Sequence, residues 1–317
     1  MSEFKKNILV TGGAGFVGSG LVEELIKDAS NFVVVVDNLL TGSKNKLPIA
    51  EHNNLKFIQC DVNNIGEITS VFHTFSFHYV FHYAALVGVQ RTLQNPVKVL
   101  NDITGIKNIL DLSKNTGVKR VMYASSSEVY GEPVEYPQNE ETTPLNSRLP
   151  YAIVKNVGEA FLKSYKQEFG LDFTVFRFFN TYGPKQSKDF VISKFINAAL
   201  NNEDITIYGD GSQTRTFCFM KNNVEACIKA AFSDEQANQT INIGNNQETT
   251  VLDLAKLIIE LTNSKSKLVF LPPLPEGDMT RRHPDITKMK ELLGDKDLLT
   301  LEQGIKEILK DTSYILS

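Results

Sequence analysis

The fold class predicted by this sequence is a doubly wound α/β domain on a parallel sheet, with a smaller C-terminal lobe. Three observations predict it. Short, continuously apolar runs alternate with helical patterns from residue 6 to about residue 180. A glycine-rich turn joins the first apolar run to the first helical pattern. Beyond residue 180 the alternation loosens into short, discontinuous segments. Strands that are apolar at every position, instead of every second one, are covered on both faces, and helical crossovers supply that cover.

The apolar runs are "NILVTG" from Asn7, "FVVVVD" from Phe32, "LKFIQCD" from Leu55, "YVFHYAA" from Tyr79, "RVMYASS" from Arg120 and "DFTVFRFFN" from Asp172. β-branched and aromatic residues dominate them, as strands require. Helical spacing marks "GLVEELIKDA" from Gly20, "ITGIKNILDLSKNTG" from Ile103 and a stretch from about Pro150 to Phe169. After "NTYGP", Gly209 to Gly211 make a turn, "TINIGN" is a short strand, "TVLDLAKLIIELTN" is a helix and "LPPLPEGD" is a proline-rich loop. The expected division is therefore residues 1–180 for the main domain and 181–317 mainly for the second lobe, with some segments returning to the first.

Charged residues make up 22% of the 317 and the formal net charge is −4, which excludes broad electrostatic attraction to nucleic acid or to an anionic membrane. Cys60, Cys218 and Cys227 are odd in number and lack metal-ligand spacing, so a reduced compartment and no metal are expected. No apolar run reaches the length of a membrane span, and "MSEFKKNILVTGG" enters a strand at once. A cytoplasmic protein is expected.

In "ILVTGGAGFVGSGLVEEL", Thr11 closes a strand while Gly12, Gly15 and Gly18 open a helix. Glycines at this spacing permit the tight turn of a Rossmann site and bring backbone amides and the helix N-terminus to a pyrophosphate. The next strand ends in Asp37, whose carboxylate suits a ribose 2′-hydroxyl and repels a 2′-phosphate. The cofactor expected is NAD. Farther on, "YAIVK" places Tyr151 and Lys155 on one helical face, a spacing common enough that it needs support from the rest of the chain.

That support comes from a run of motifs in order: "TGGAGFVG", "DNLLTG", "CDV", "HYAA", "ASSSEVYG", "YAIVK", "FRFFNTYGP", "GDGSQTRTF" and "RRHPDITKMKELLG". With them, nearly the whole chain resembles the extended short-chain dehydrogenase/reductase family, in its nucleotide-sugar branch of epimerases, dehydratases and decarboxylases. The resemblance implies an enzyme with tightly held NAD and a C-terminal substrate-binding lobe. It puts Phe16, Val17 and Asn38 in the cofactor site, Asp61 and Val62 by the adenine, and Ala84, Ala85 and Leu86 along the cleft. Asn101 would sit at a break in the following helix, and Lys155 would also bond the nicotinamide ribose.

In that family Tyr151 would take the C4 hydroxyl proton of a bound sugar, with Lys155 and the oxidised pyridine ring favouring its phenolate and Ser126 bonding the same hydroxyl. Glu128 matches the active-site glutamate of GDP-mannose dehydratases and UDP-glucuronate decarboxylases. Two residues past Ser126 on an extended segment, it would face the same way. Ser127 stands where glucose-type 4,6-dehydratases carry aspartate, which speaks against that reaction. Asn180, Arg215 and either Arg281 or Arg282 resemble the substrate-site residues, the arginines clamping a diphosphate.

Ser19, Lys221 and Asn222 depart from the family pattern, and "GPKQSKDFVISKF" lacks an arginine and a glycine usual in decarboxylases. The resemblance thus implies C4 oxidation of a UDP- or GDP-linked sugar, as a C4-dehydrogenase or 4-epimerase serving surface polysaccharide synthesis. Decarboxylation of UDP-glucuronate or a GDP-mannose-type dehydration is the alternative. A non-catalytic NAD sensor on the same scaffold is disfavoured because Ser126, Tyr151 and Lys155 are all present. A homodimer through helices 103–115 and 151–168 is also implied.

Overall fold

The computed structural model describes residues 6–49, 52–273, 281–294 and 296–312. In chain order the first half contains β1 (Lys6–Thr11), α1 (Phe16–Leu25), β2 (Asn31–Asp37), β3 (Leu55–Gln59), α2 (Ile65–Thr74), β4 (Tyr79–His82), α3 (Val89–Gln94), α4 (Pro96–Thr116), β5 (Arg120–Ser126), α5 (Pro150–Phe169) and β6 (Asp172–Phe178). The second half contains β7 (Thr181–Tyr182), α6 (Val191–Leu200), β8 (Ile205–Tyr208), β9 (Thr214–Thr216), β10 (Cys218–Phe219), α7 (Met220–Phe232), β11 (Gln239–Ile243), β12 (Glu248–Thr250), α8 (Val251–Thr262), β13 (Leu268–Leu271), α9 (Thr287–Leu293) and α10 (Leu301–Leu309). Most of the proline-rich loop expected at 271–278 lies outside the described residues.

Seven strands form one parallel sheet in the order β11-β6-β5-β4-β1-β2-β3. Its apolar runs are buried on both faces. Ile8, Val10, Val33 and Val35 join one core with α1, α7 and α9, while Leu9, Val34 and Val36 join another with α2, α4 and α5. The two long helices are bounded by backbone chemistry legible in the sequence. Each begins with proline at a first-turn position and ends on a left-handed glycine, Gly117 or Gly170.

The chain runs outward from β1 to β3 and then crosses back to β4, so β1 has β2 on one side and β4 on the other. Such a reversal opens a crevice beyond the carboxyl ends of the strands. The register aligns those ends: Thr11 lies beside both Val36 and His82, and Ser126 beside Phe178. A third core, formed by α6, α8, α10 and β8, holds the second lobe together.

The "TINIGN" segment does not stay in the second lobe. As β11 it pairs with β6 from Gln239 beside Thr174 to Ile243 beside Phe178, and it completes the main sheet. Helices α7 and α9 likewise pack into the core beneath α1. Among the described residues, no helix is long and apolar enough to cross a membrane.

One buried ion pair ties the elements that carry the crevice. Glu159 of α5 accepts from Arg177 of β6 at both oxygens (Nε to Oε1 3.0 Å, Nη2 to Oε2 2.7 Å) and from Ser125 Oγ at 2.6 Å. Arg177 also donates to the Tyr130 hydroxyl at 2.9 Å. Both charged residues are at most 2% exposed. Arg177→Ala strands an ionised carboxylate in the core, and a loss of about 3–5 kcal/mol in denaturant unfolding is expected.

Candidate active site

A cleft of about 600 Å³ follows the carboxyl ends of the strands from the glycine turn to the second lobe. At its first end the turn is pressed against β4. Gly12 has φ of +67°, and a Cβ there would come within 2.6 Å of the Ala84 nitrogen. A Cβ on Gly18 would strike the Gly12 carbonyl oxygen. Thr11 Oγ1 secures the same junction, accepting from the backbone of Tyr83 and Ala84 at 3.2 Å and sharing a 2.8 Å bond with His82 Nδ1. Gly15 caps α1 without a side chain, so the helix meets the cleft with backbone N–H groups available to an anion.

Asp37 closes β2 and accepts from Ala14 N at 3.0 Å and Leu39 N at 2.8 Å. Burial pushes its carboxyl up and these two bonds oppose the shift. An ionised carboxylate offers roughly four acceptor positions, so acceptor capacity remains for a ribose. Asn38 reaches Asp61 at 3.2 Å. Phe16, Val17, Asn38, Asp61, Val62, Ala84, Ala85 and Leu86 all line the cleft. The narrow glycine turn, the bare helix end and the strand-end carboxylate fit a dinucleotide.

Midway along, β5 ends at Ser126 and α5 begins at Pro150, so Tyr151 lies in its first turn and Lys155 one turn on. Ser126 lies beside the Tyr151 hydroxyl and favours its ionised form. Lys155 Nζ donates to the Ala124 carbonyl at 2.7 Å and stands over the rings of Tyr123 and Tyr151, 5.1 and 5.6 Å from their centroids. Sequence reasoning expects a neighbouring cation to favour the phenolate. In the folded chain, burial first and the Glu128 charge second push the Tyr151 phenol well above its ordinary value, against the Ser126 hydroxyl and the Arg282 charge. Burial also brings Lys155 down to about 8. Burial, together with the Lys155 charge, lowers His82 to about 3 and leaves it neutral.

At the far end the backbone differs from the expected extension. A 3₁₀ turn, Ser127–Tyr130, starts immediately after Ser126, whose hydroxyl caps it by accepting from Glu128 N at 3.2 Å. Glu128 still lines the cleft, where Arg282 Nη2 binds its Oε1 at 2.6 Å. Arg282 also approaches Ser127 Oγ at 3.4 Å and is 7% exposed. Arg281 does not enter. It pairs with Glu248 and lies over the Tyr136 ring at 4.4 Å, outside the cleft.

Arg215 and Asn180 do line the cleft, Asn180 donating to the Thr216 carbonyl at 3.0 Å. The helix break falls at Asn95, between α3 and α4, whereas Asn101 lies within α4 and still faces the cleft. Beside it is a residue the motifs do not mark. Asp102 accepts from Leu86 N at 2.7 Å, and its charge acts on Lys155 and Tyr151. Its only signal in the sequence is a carboxylate next to Asn101. Gln186 and Phe190, from a segment outside the quoted motifs, and Phe217, the last residue of "GDGSQTRTF", also line the cleft. Lys185 is turned away to Glu23 and the Lys46 carbonyl.

A parallel sheet with a glycine turn at its reversal, and a Ser-Tyr-Lys group in the cleft beyond it, half-buried at Ser126 and Tyr151 and buried at Lys155, define a dinucleotide-dependent oxidoreductase scaffold. The chain belongs to the NAD dependent epimerase/dehydratase family, whose sequence model matches residues 8–244, and it is an NAD-dependent nucleotide-sugar enzyme of the extended short-chain dehydrogenase/reductase type. It is 38% identical to a UDP-N-acetyl-alpha-D-glucosaminuronate decarboxylase of Bacillus cytotoxicus, over 96% of this chain and 97% of the relative. It is 37% identical to UDP-glucuronic acid decarboxylase 1 of Danio rerio, over 96% and 72%. Among solved structures, the UDP-glucose 4-epimerase of Thermotoga maritima with UDP-glucose superposes with a TM-score of 0.89 at 34% identity, over 96% of this chain and 97% of that one.

Proposed function

We propose that the protein oxidises C4 of a UDP-linked sugar to a 4-keto sugar, which it then reduces as a 4-epimerase or releases as a C4-dehydrogenase. The observation that carries this is the convergence of Ser126, Tyr151 and Lys155 in one stretch of cleft between the glycine turn and the Glu128–Arg282 pair. Bound NAD would supply the hydride acceptor and the positive charge of its oxidised ring. Gly12, Gly15, Gly18 and Asp37 would hold it, with Asn38, Asp61, Val62, Ala84 to Leu86 and Asn101 along its length and Lys155 at the nicotinamide ribose.

In this reading the Tyr151 oxygen takes the proton of the C4 hydroxyl while Ser126 bonds that hydroxyl and fixes its direction. Lys155 holds positive charge over the phenol ring, where it favours the ionised form. Arg215 and Arg282 meet the anionic nucleotide sugar, and Asn180 borders it. Glu128 stands at the sugar with its charge balanced by Arg282. A homodimer through α4 and α5 belongs to this reading, and the apolar side chains exposed at the ends of these helices, Val97 at 70% and Phe169 at 50%, support it.

A second reading has specific support. Decarboxylation of a UDP-hexuronate fits the Bacillus and Danio relatives, and it needs the same C4 oxidation, because a 4-keto hexuronate is a β-keto acid that readily loses its carboxylate. Glu128 then serves as an acid at C5. Incubation with UDP-glucose, UDP-N-acetylglucosamine and UDP-glucuronate, followed by mass spectrometry, separates the outcomes. A new, chromatographically separated species of unchanged mass marks an epimer, loss of two hydrogens a released ketosugar, and loss of carbon dioxide a decarboxylase. Absence of any product from UDP-sugars overturns both readings.

Asp37 provides a check on the cofactor. Asp37→Ser removes both the ribose acceptor and the repulsion of a 2′-phosphate. Weaker NAD binding and measurable NADP binding are the expected results in calorimetry.

A further inference from the structure

Arg281 and Arg282 are adjacent, yet only Arg282 enters the cleft, and the reason lies outside it. The segment that carries them is bracketed by Gln138, whose N–H donates to the His283 carbonyl at 2.7 Å and whose carbonyl accepts from Asp285 N at 2.8 Å. Its side chains alternate. Arg281 binds Glu248 with Nε 3.0 Å from each oxygen and Nη2 2.5 Å from Oε1, and His283 Nδ1 lies 2.6 Å from the same Oε1. Arg282, between them, is directed the other way onto Glu128.

Glu248 has a second relation to the cleft. It stands on β12, opposite Thr216 of β9, and the next pair in the ladder is Thr249 with Arg215. One two-stranded unit therefore bears Arg215 and also grips both neighbours of Arg282. The two cleft arginines, which come from positions 215 and 282, are fixed relative to each other through this carboxylate. Hydrogen bonds from Arg281 first, then His283, lower its pKa to about 2, so it stays ionised at ordinary pH.

We infer that Glu248 is a positioning residue for substrate binding: by holding Arg281 and His283 outside the cleft it sets Arg282 inside it, at a fixed place relative to Arg215. The inference rests on the nucleotide-sugar reading above and adds to it a specificity element that touches neither substrate nor cofactor. Without the carboxylate, Arg281 and Arg282 compete for the inward direction and the anion site loses its geometry.

The test measures binding of UDP to the NAD-loaded protein by calorimetry, beside NAD affinity, melting temperature and steady-state kinetics. Glu248→Gln is expected to weaken UDP about tenfold and to raise KM for the UDP-sugar more than it lowers kcat, with NAD affinity unchanged. Glu248→Asp should recover part of the loss. Glu248→Gln combined with Arg281→Gln should bind UDP no more weakly than Glu248→Gln alone, since the two act as one unit. Wild-type UDP affinity in Glu248→Gln, additive effects in the double variant, or a parallel loss of NAD affinity and melting temperature overturns the inference. A wild-type protein that binds no UDP removes the substrate reading itself, and the inference with it.

Discussion

Tyr151→Phe is expected to lower kcat by about 10²–10⁴-fold, the range of a lost general base, while the protein still binds NAD. The variant removes one oxygen and keeps the ring over which Lys155 stands 5.6 Å from the centroid. It also removes the phenol oxygen beside Ser126, leaving the serine alone to bond the C4 hydroxyl in the proposed reaction. Packing of α5 against β5 and β6 is held by the Glu159–Arg177 pair and is untouched. Unfolding midpoints should therefore coincide within the small change typical of a conservative substitution. Single-turnover measurement of NADH absorbance on mixing with a UDP-sugar checks the result, and retained turnover would take Tyr151 out of the mechanism.

Lys155→Met should have the next largest effect, and its signature is the pH dependence. For the pair to work as a base it must lose one proton. In the wild type the Lys155 ammonium, present below the value of about 8 to which burial brings it, and a positively charged ring alongside both favour the phenolate and bring its ionisation to lower pH. In the methionine variant only the phenol is left to ionise, inside a buried site that raises it above its ordinary ~10. The rising limb of kcat/KM should move to higher pH, and the rate at pH 7 should fall by about 10²-fold or more. An unshifted limb would show that the ammonium does not govern the tyrosine.

These expectations draw on features that differ in how far the sequence reveals them. Strands buried on both faces are written as unbroken apolar runs, so β2 is legible from "NFVVVVD" alone, and α5 is bounded by Pro150 and Gly170 through local backbone preference. The glycine turn is legible for the same reason, since at Gly12 and Gly18 a side chain has no room. The partner of a short strand is not a local property. Nothing within "TINIGN" says that it will pair with β6, some 60 residues earlier, instead of with its neighbours.

Direction is also hidden at the substrate end. Whether Arg281 or Arg282 turns inward is decided by Glu248 and Gln138, far away in the chain. The run of serines before Glu128 reads as extended, but the Ser126 hydroxyl offers its lone pair to a nearby backbone N–H and ends the strand there. The acidity of Tyr151 and Lys155 depends on how deeply they are enclosed, which spacing along a helix does not express.

The place of β11 has a practical consequence. Because that strand is drawn from beyond β7 to β10, the polypeptide is interleaved and a cut near residue 180 would not release a self-sufficient half. Such a fragment would keep β5 on one side of β6 but leave a bare row of amides and carbonyls on the side that β11 covers, an invitation to edge-to-edge association. Genetic dissection of this enzyme should thus proceed by point substitution, and a split version should regain solubility only when both pieces are made together.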